Sequence, residues 1–152
     1  MTADHAKRHK ALLAEIASGK MDCLLVTQPA NWFYLTGFSG ESGTLIVARD
    51  CTTLVTDGRF TVQAAQETRG VKIELQQGGL FAAVGSILKT RGLTRAGYDA
   101  NQLTVQQLKN LRKSLGREWR GVEAAGLVER LRMRKDPQEL GVIVPSLPSV
   151  SV

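Results

Sequence analysis

Asn31-Trp-Phe-Tyr-Leu-Thr-Gly-Phe-Ser-Gly-Glu-Ser-Gly43, followed at once by Thr44-Leu-Ile-Val-Ala48 and then by Thr56-Asp-Gly-Arg-Phe60, decides how this chain is read. Aromatic residues, three glycines spaced three apart and an apolar run meet there. Gly37, Gly40 and Gly43 suit a loop that turns sharply and projects the side chains between them, because glycine reaches backbone conformations that a Cβ forbids. Thr44–Ala48 and Thr52–Thr56 read as strands, and the short Arg49-Asp50-Cys51 link between them favours a hairpin.

Outward from this stretch the chain alternates. Residues 4 to 18 place Ala6, Leu12, Leu13, Ile16 and Ala17 at the period of an amphipathic helix that Gly19 stops. Asp22-Cys-Leu-Leu-Val-Thr27 is a short apolar run, read as a strand buried on both faces. Pro29 and Asn31 mark a turn that opens at most a single helical turn through Trp32 and Tyr34. Beyond the hairpin, residues 58–68 read as helix, 71–75 as strand, 80–90 as helix and 95–98 as strand. Leu108, Leu111 and Leu115 give a helix over 104–115 with Thr104 as its cap. A last strand over 122–124 leads through Gly126 to Leu127-Val-Glu-Arg-Leu131. Such alternation implies an α/β layer fold, with a mixed sheet of about five to six strands and helices on both faces.

Composition bounds the function. A chain of 152 residues with 43% hydrophobic and 22% charged residues has the length and apolar content of one globular domain. No apolar run approaches the roughly 20 residues that span a bilayer, and the first ten residues lack the apolar segment of a secretory signal, so the expected location is the cytoplasm. Cys23 and Cys51 have no spacing that suggests zinc or a disulfide framework, and read as structural. The net charge of +6 and a pI near 9.7 raise the question of nucleic acid. Lys109, Arg112, Lys113, Arg117, Arg120, Arg130, Arg132, Arg134 and Lys135 do gather late in the chain. Apart from Trp119 they have no interleaved aromatics and match no nucleic-acid-binding motif, so the cluster reads as a solvated helix face and no nucleic-acid partner is expected.

No ordinary catalytic device assembles from these residues. The glycines follow G-x-x-G-x-x-G before a strand, whereas a dinucleotide fingerprint needs G-x-G-x-x-G between strand and helix. There is no Gly-Lys-Ser/Thr phosphate loop. Ser39 and Ser42 miss the Gly-x-Ser-x-Gly elbow, and both histidines are far from them in sequence. His5 and His9, four apart on the first helix, could face one metal, but only Asp4 stands near them, and they read as surface histidines.

Asn31-x-x-Tyr34-Leu-Thr-Gly-Phe-Ser-Gly40, a strand, then Thr56-Asp-Gly-Arg-Phe60 resembles the N-terminal domain of the creatinase, prolidase and Xaa-Pro aminopeptidase family of metallopeptidases. Gly97-Tyr-Asp99 is similar to that family's short Gly-aromatic-acid strand. Leu127-Val-Glu-Arg-Leu-Arg132 with Lys135, Asp136 and Glu139 is similar to its junction into the catalytic domain. The resemblance covers about residues 8 to 140 and implies a ribonuclease H-like domain over 1–131. Residues 132–152 would then hold the junction and a flexible or aberrant tail, in which Pro145 and Pro148 break any helix.

The resemblance implies a division of labour. In the family a C-terminal "pita-bread" domain holds two divalent metals (Mn, Co or Zn) on two aspartates, one histidine and two glutamates, and cleaves the bond before proline. None of those ligand motifs occurs here, so the chain is expected to bind no catalytic metal or other cofactor and to be inactive alone. It would be a non-catalytic substrate-capping and dimerisation domain, its loop bordering the cleft of a peptidase for substrates with proline at the second position. By resemblance Phe38 would be an apolar wall of that cleft and Ser39 and Glu41 its polar edges; alternatively the glycines mark only a tight connection into a strand. Asp57 would cap the following helix or face the cleft. Arg59 would hold a carboxylate, either inside the domain or on a peptide. A homodimer is the expected assembly. Two alternatives stand beside this reading. One is a stand-alone protein-interaction module of the same fold, as in a histone chaperone, meeting an acidic partner through the basic segment. The other is the N-terminal domain of a creatinase-type amidinohydrolase.

Overall fold

The computed structural model describes residues 2–134. Among these, six strands and six α-helices alternate. They are α1 (Ala3–Ser18), β1 (Cys23–Val26), α2 (Pro29–Thr36), β2 (Thr44–Ala48), β3 (Thr52–Thr56), α3 (Thr61–Glu67), β4 (Val71–Leu75), α4 (Leu80–Arg91), β5 (Arg95–Tyr98), α5 (Val105–Leu115), a 3₁₀ turn (Gly116–Glu118), β6 (Arg120–Glu123) and α6 (Leu127–Met133). The strands form one sheet in the order β4-β3-β2-β1-β5-β6. Only β2 runs against its neighbours, pairing antiparallel with β1 and β3, while the β3–β4, β1–β5 and β5–β6 pairs are parallel. The expected mixed α/β sheet is therefore the architecture found.

Helices cover both faces because the central strands are apolar on both. Leu24, Val26, Leu45, Val47 and Leu54 pack with Leu12, Ile16, Trp32, Leu35, Leu127 and Leu131 on one side. Cys23, Leu25, Ile46, Ala48 and Val55 pack with Val84, Leu88, Leu111 and Leu115 of α4 and α5 on the other. Each such aliphatic side chain removed from water contributes about 1.5–3 kcal/mol. β1, β2 and β3 are buried at every position, whereas β4 and β6 are partly exposed at their edges.

Local chemistry sets the element ends. The Thr104 side chain accepts from the Gln107 N–H at 3.1 Å while the Gln107 side chain accepts from the Thr104 N–H at 2.9 Å, a reciprocal cap that starts α5. The segment after β1 is more than the single turn expected. Pro29 opens an eight-residue helix, and Gly37, at φ 83°, ends it with its N–H on the Phe33 carbonyl. α3 starts three residues later than expected, at Thr61, because residues 57–60 form a turn closed by the Phe60 N–H on the Asp57 carbonyl at 3.0 Å. Lys135, Asp136, Glu139, Pro145 and Pro148, and all but the first three residues of 132–152, lie outside the described residues.

His9 is not the surface histidine that its position suggests. It is 6% exposed, with Nε2 3.0 Å from the Leu35 carbonyl and Nδ1 3.2 Å from the Thr52 hydroxyl. A carbonyl can only accept, so Nε2 carries the proton and neutral Nδ1 accepts from Thr52. One ring thus ties α1 to the end of α2 and to the start of β3. Burial lowers the His9 pKa below 6.5, opposed by the bond to Leu35; burial and then Arg8 lower that of His5. A folded-state pKa below the unfolded value means that the unfolded chain binds more protons. The His9 contribution is therefore complete above about pH 6.5 and is lost as pH falls below it. Urea unfolding should show stability declining from pH 7.5 to 5, a window above the range where carboxylates titrate. His9→Gln should lower stability by about 1–3 kcal/mol at pH 7.5 and flatten that decline; an unchanged slope would contradict the assignment.

Candidate functional site

The glycine loop and the turn after β3 lie together at one end of the sheet, where β3 finishes and β2 begins. Hydrogen bonds carry the chain from α2 into the loop. The Thr36 hydroxyl donates to the Trp32 carbonyl at 2.7 Å and accepts from the Phe38 N–H at 3.1 Å. The Trp32 indole donates to the Gly40 carbonyl at 3.1 Å.

Phe38 is not a wall of an open cleft. Its side chain is fully buried, with ring centroids 6.1 Å from Trp32 and 6.3 Å, edge-on, from Phe60. The reason is the glycine two residues on, since a Cβ at Gly40 would sit 2.2 Å from the tip of the Phe38 ring. The ring turns inward beneath the backbone and pins the loop from below. At the far end Gly43 has φ 152°, and a Cβ there would meet the Val55 carbonyl at 2.7 Å, so only glycine lets the loop enter β2 this close to β3. The Thr56 hydroxyl, donating to the Ser42 carbonyl at 2.7 Å, fixes that entry.

Ser39 and Glu41 are exposed, with different surroundings. The Ser39 N–H and hydroxyl both donate to the Glu67 carboxylate, at 2.9 and 2.7 Å. Gln63 donates to the Ser39 hydroxyl at 2.9 Å and to Glu67 at 3.2 Å. These bonds, the one from the Ser39 backbone first, lower the Glu67 pKa and keep it an acceptor. The Ser39 hydroxyl hydrogen is engaged by a carboxylate in an outward-facing brace, not by a histidine base, and no nucleophile is assembled here. Sequence reasoning missed Glu67 and Gln63. Their four-residue spacing puts them on one face of α3, but nothing in the sequence indicates that this face meets a loop 28 residues away.

Asp57 does not cap α3. The cap position is Phe60, without a side-chain bond to the first turn. Asp57 instead bonds Arg59 three times: it accepts from the backbone N–H at 2.9 Å, from Nε at 3.0 Å and from Nη2 at 2.9 Å. The aspartate turns back two residues on, as aspartates in turns do, so it is already committed before the helix begins. Its pKa is lowered chiefly by the Arg59 side-chain bonds, and that of Arg59 is raised by the same pair. The Arg59 side chain stays 76% exposed, its guanidinium 5.1 Å from the Phe60 ring centre. The Glu41 carboxylate acts on it through space and has no hydrogen-bond partner among the described residues. An unengaged carboxylate and an exposed guanidinium on a braced backbone can recognise charged or polar ends of a small ligand.

A second corner joins the remaining motifs. The Asn31 amide donates to Glu129 at 2.8 Å and its oxygen accepts from Arg132 at 3.0 Å. The Tyr34 hydroxyl donates to the Leu131 carbonyl at 3.1 Å. Asp99 accepts from the Asn101 and Gly126 N–H groups at 2.9 and 3.2 Å. The crevice that Asn31, Asp99 and Glu129 line, about 20 Å³, is the size of one water and too small for a substrate. Among the described residues no group of three or more His, Cys, Asp or Glu is placed to hold a metal ion. The side chains present therefore do not fit the metal pair that the resemblance implies.

Comparison with known proteins agrees with this architecture. Residues 8–134 match the creatinase/prolidase N-terminal domain family. An uncharacterized peptidase of Bacillus subtilis, YqhT, is 28% identical over 123 residues, which are 81% of this chain and 35% of that protein. The crystal structure of the N-terminal domain of cytoplasmic peptidase PepQ from Mycobacterium tuberculosis is 31% identical, with a TM-score of 0.78 over 83% of this chain and 98% of that one. An Xaa-Pro dipeptidase from Bacillus anthracis shares the fold, at 22% identity and a TM-score of 0.82 over 91% of this chain and 38% of its own. The chain thus spans little more than a third of the length of the full-size proteins it matches. With the family matched along most of its length, the chain belongs to the creatinase/prolidase N-terminal domain family.

Proposed function

We propose that this chain is a non-catalytic substrate-capping and dimerisation domain of a proline-specific metallopeptidase, an Xaa-Pro dipeptidase or aminopeptidase. The observation that carries the reading is the braced loop, which holds Glu41 exposed beside the exposed guanidinium of Arg59. Two opposite charges on a rigid backbone suit the ends of a short peptide, whose ammonium and carboxylate are its strongest recognition groups. The metals and the hydrolytic chemistry would belong to residues beyond the matched region. Ser39 would set the position of the loop through Glu67, and Phe38 would set its height from inside. Cytoplasmic location is the companion proposal. It is supported by the relative described as a cytoplasmic peptidase and by two free cysteines, of which Cys23 is made inert by burial that pushes its thiol up to about 12. Among the described residues no helix is long and apolar enough to cross a membrane.

A chimera tests the capping role. Residues 8–134 should replace the equivalent segment of a full-length Xaa-Pro peptidase and leave it able to cleave Xaa-Pro dipeptides. In that chimera Glu41→Ala and Arg59→Ala should raise KM several-fold with kcat within about twofold, the pattern of lost substrate binding; unchanged KM in both would contradict it. The 152-residue chain alone, supplied with manganese or cobalt, should release nothing from the same peptides. If the domain also carries dimer contacts, light scattering should give a mass near twice 16.5 kDa. A strict monomer would remove dimerisation from the role of this domain by itself.

A further inference from the structure

The two open edges of the sheet are treated differently. On β4, Lys72 and Glu74 pair with each other at 3.1 Å, so the charges on that edge neutralise one another. β6 has no such arrangement. Arg120 N–H donates to the Thr94 carbonyl at 2.7 Å and Ala124 N–H to the Tyr98 carbonyl at 2.8 Å, so these alternate residues turn their N–H groups towards β5. The alternation of a strand then turns the N–H and C=O groups of Gly121 and Glu123 away from it. Both residues are exposed, and neither N–H has a partner among the described residues. An unpaired row of this kind is a template for another strand.

Beside this edge stands a stripe rich in cations, with two exposed carboxylates near it, Glu118 in the turn after α5 and Glu123 on the strand. Lys109, Arg112, Lys113 and Arg117 follow one another at spacings of three, one and four along α5 and the turn that continues it. Arg120 shares with Ala124 the opposite face of β6. All four cations of the helix and turn are exposed. Among the described residues none has a carboxylate within salt-bridge distance, whereas Arg59, Lys72 and Arg91 each have one. The stripe and the edge meet at Trp119. Arg112 lies 5.4 Å from its ring centre, and a Cβ on Gly121 would meet the Trp119 ring at 2.8 Å and the Tyr98 ring at 3.0 Å. The α5 side of β6 is therefore the side that the cations flank. The Trp119 indole N–H is buried and has no acceptor among the described residues.

We propose that the open edge of β6 is a docking surface for an extended acidic peptide segment, which adds to the sheet as a seventh strand and directs alternate carboxylates towards the cations of α5. Backbone pairing supplies the hold, and the charge stripe selects the sequence and the register. A phosphodiester chain would satisfy the cations but would leave the outward amides of Gly121 and Glu123 unused. The stripe also has no exposed aromatic ring on which a base could stack.

The test is a fluorescence-anisotropy titration of the full chain against a labelled eight-residue peptide that alternates glutamate and valine. Binding should be saturable and weaken at least tenfold in the double variant Lys113→Glu with Arg117→Glu, two exposed positions whose exchange leaves the core untouched. The same peptide N-methylated at alternate amides keeps its charge but cannot pair as a strand, and it should also bind at least tenfold more weakly. Absence of saturable binding, equal binding of the N-methylated peptide, or a tighter hold on a thymidine octanucleotide than on the acidic peptide would overturn the proposal.

Discussion

The burial of one aromatic ring governs the end of the sheet where the candidate site lies. Phe38 follows the left-handed Gly37 and turns under Gly40, into the space between Trp32 and Phe60. Gly40 is buried against the ring, and Ser39 and Glu41 on either side of it are turned outward. The exposure of Ser39 and Glu41 is thus a consequence of packing beneath them. A Phe ring removed from water contributes on the order of 2 kcal/mol or more, enough to offset the cost of ordering one or two residues of the loop. Glu67 and Gln63 then hold the top of the loop as Phe38 holds the bottom.

The same economy recurs at the second corner. Asn31 and Tyr34 join α2 to Glu129, Leu131 and Arg132 of α6, roughly a hundred residues further along the chain. Asp99 links the loop after β5 to the start of α6. These are the residues that look like family motifs in sequence, and in the folded chain they serve as joints between elements. Glu41 and Arg59 at the loop and the cations beside β6 are, by contrast, exposed.

Most of the fold is legible from the chain because its signals are local. The strands of the hairpin are rich in β-branched residues and are followed by Asp50 and Asp57, and α5 carries its own start signal in Thr104 and Gln107. What was illegible depends on contacts between distant residues. Phe38 reads as a loop side chain until Gly40 and Phe60 are seen to enclose it. Asp57 has the residue type of a cap, and only the geometry of the turn shows that Arg59 engages it first. His9 sits among lysines and an arginine near the amino terminus, where nothing announces that Leu35 and Thr52 will close around it. In each case the residue's chemistry is readable and its partner is not.

A buried ring, not the surface bonds alone, holds the loop in shape. Amide hydrogen exchange on Phe38→Leu and Glu67→Gln measures this directly. Phe38→Leu should speed exchange at Ser39 by at least tenfold and leave the amides of β1 to β3 protected, while Glu67→Gln, which keeps an acceptor at that position, should have a smaller effect. Unchanged exchange at Ser39 in Phe38→Leu, with full loss in Glu67→Gln, would contradict the account and assign the loop's order to its surface.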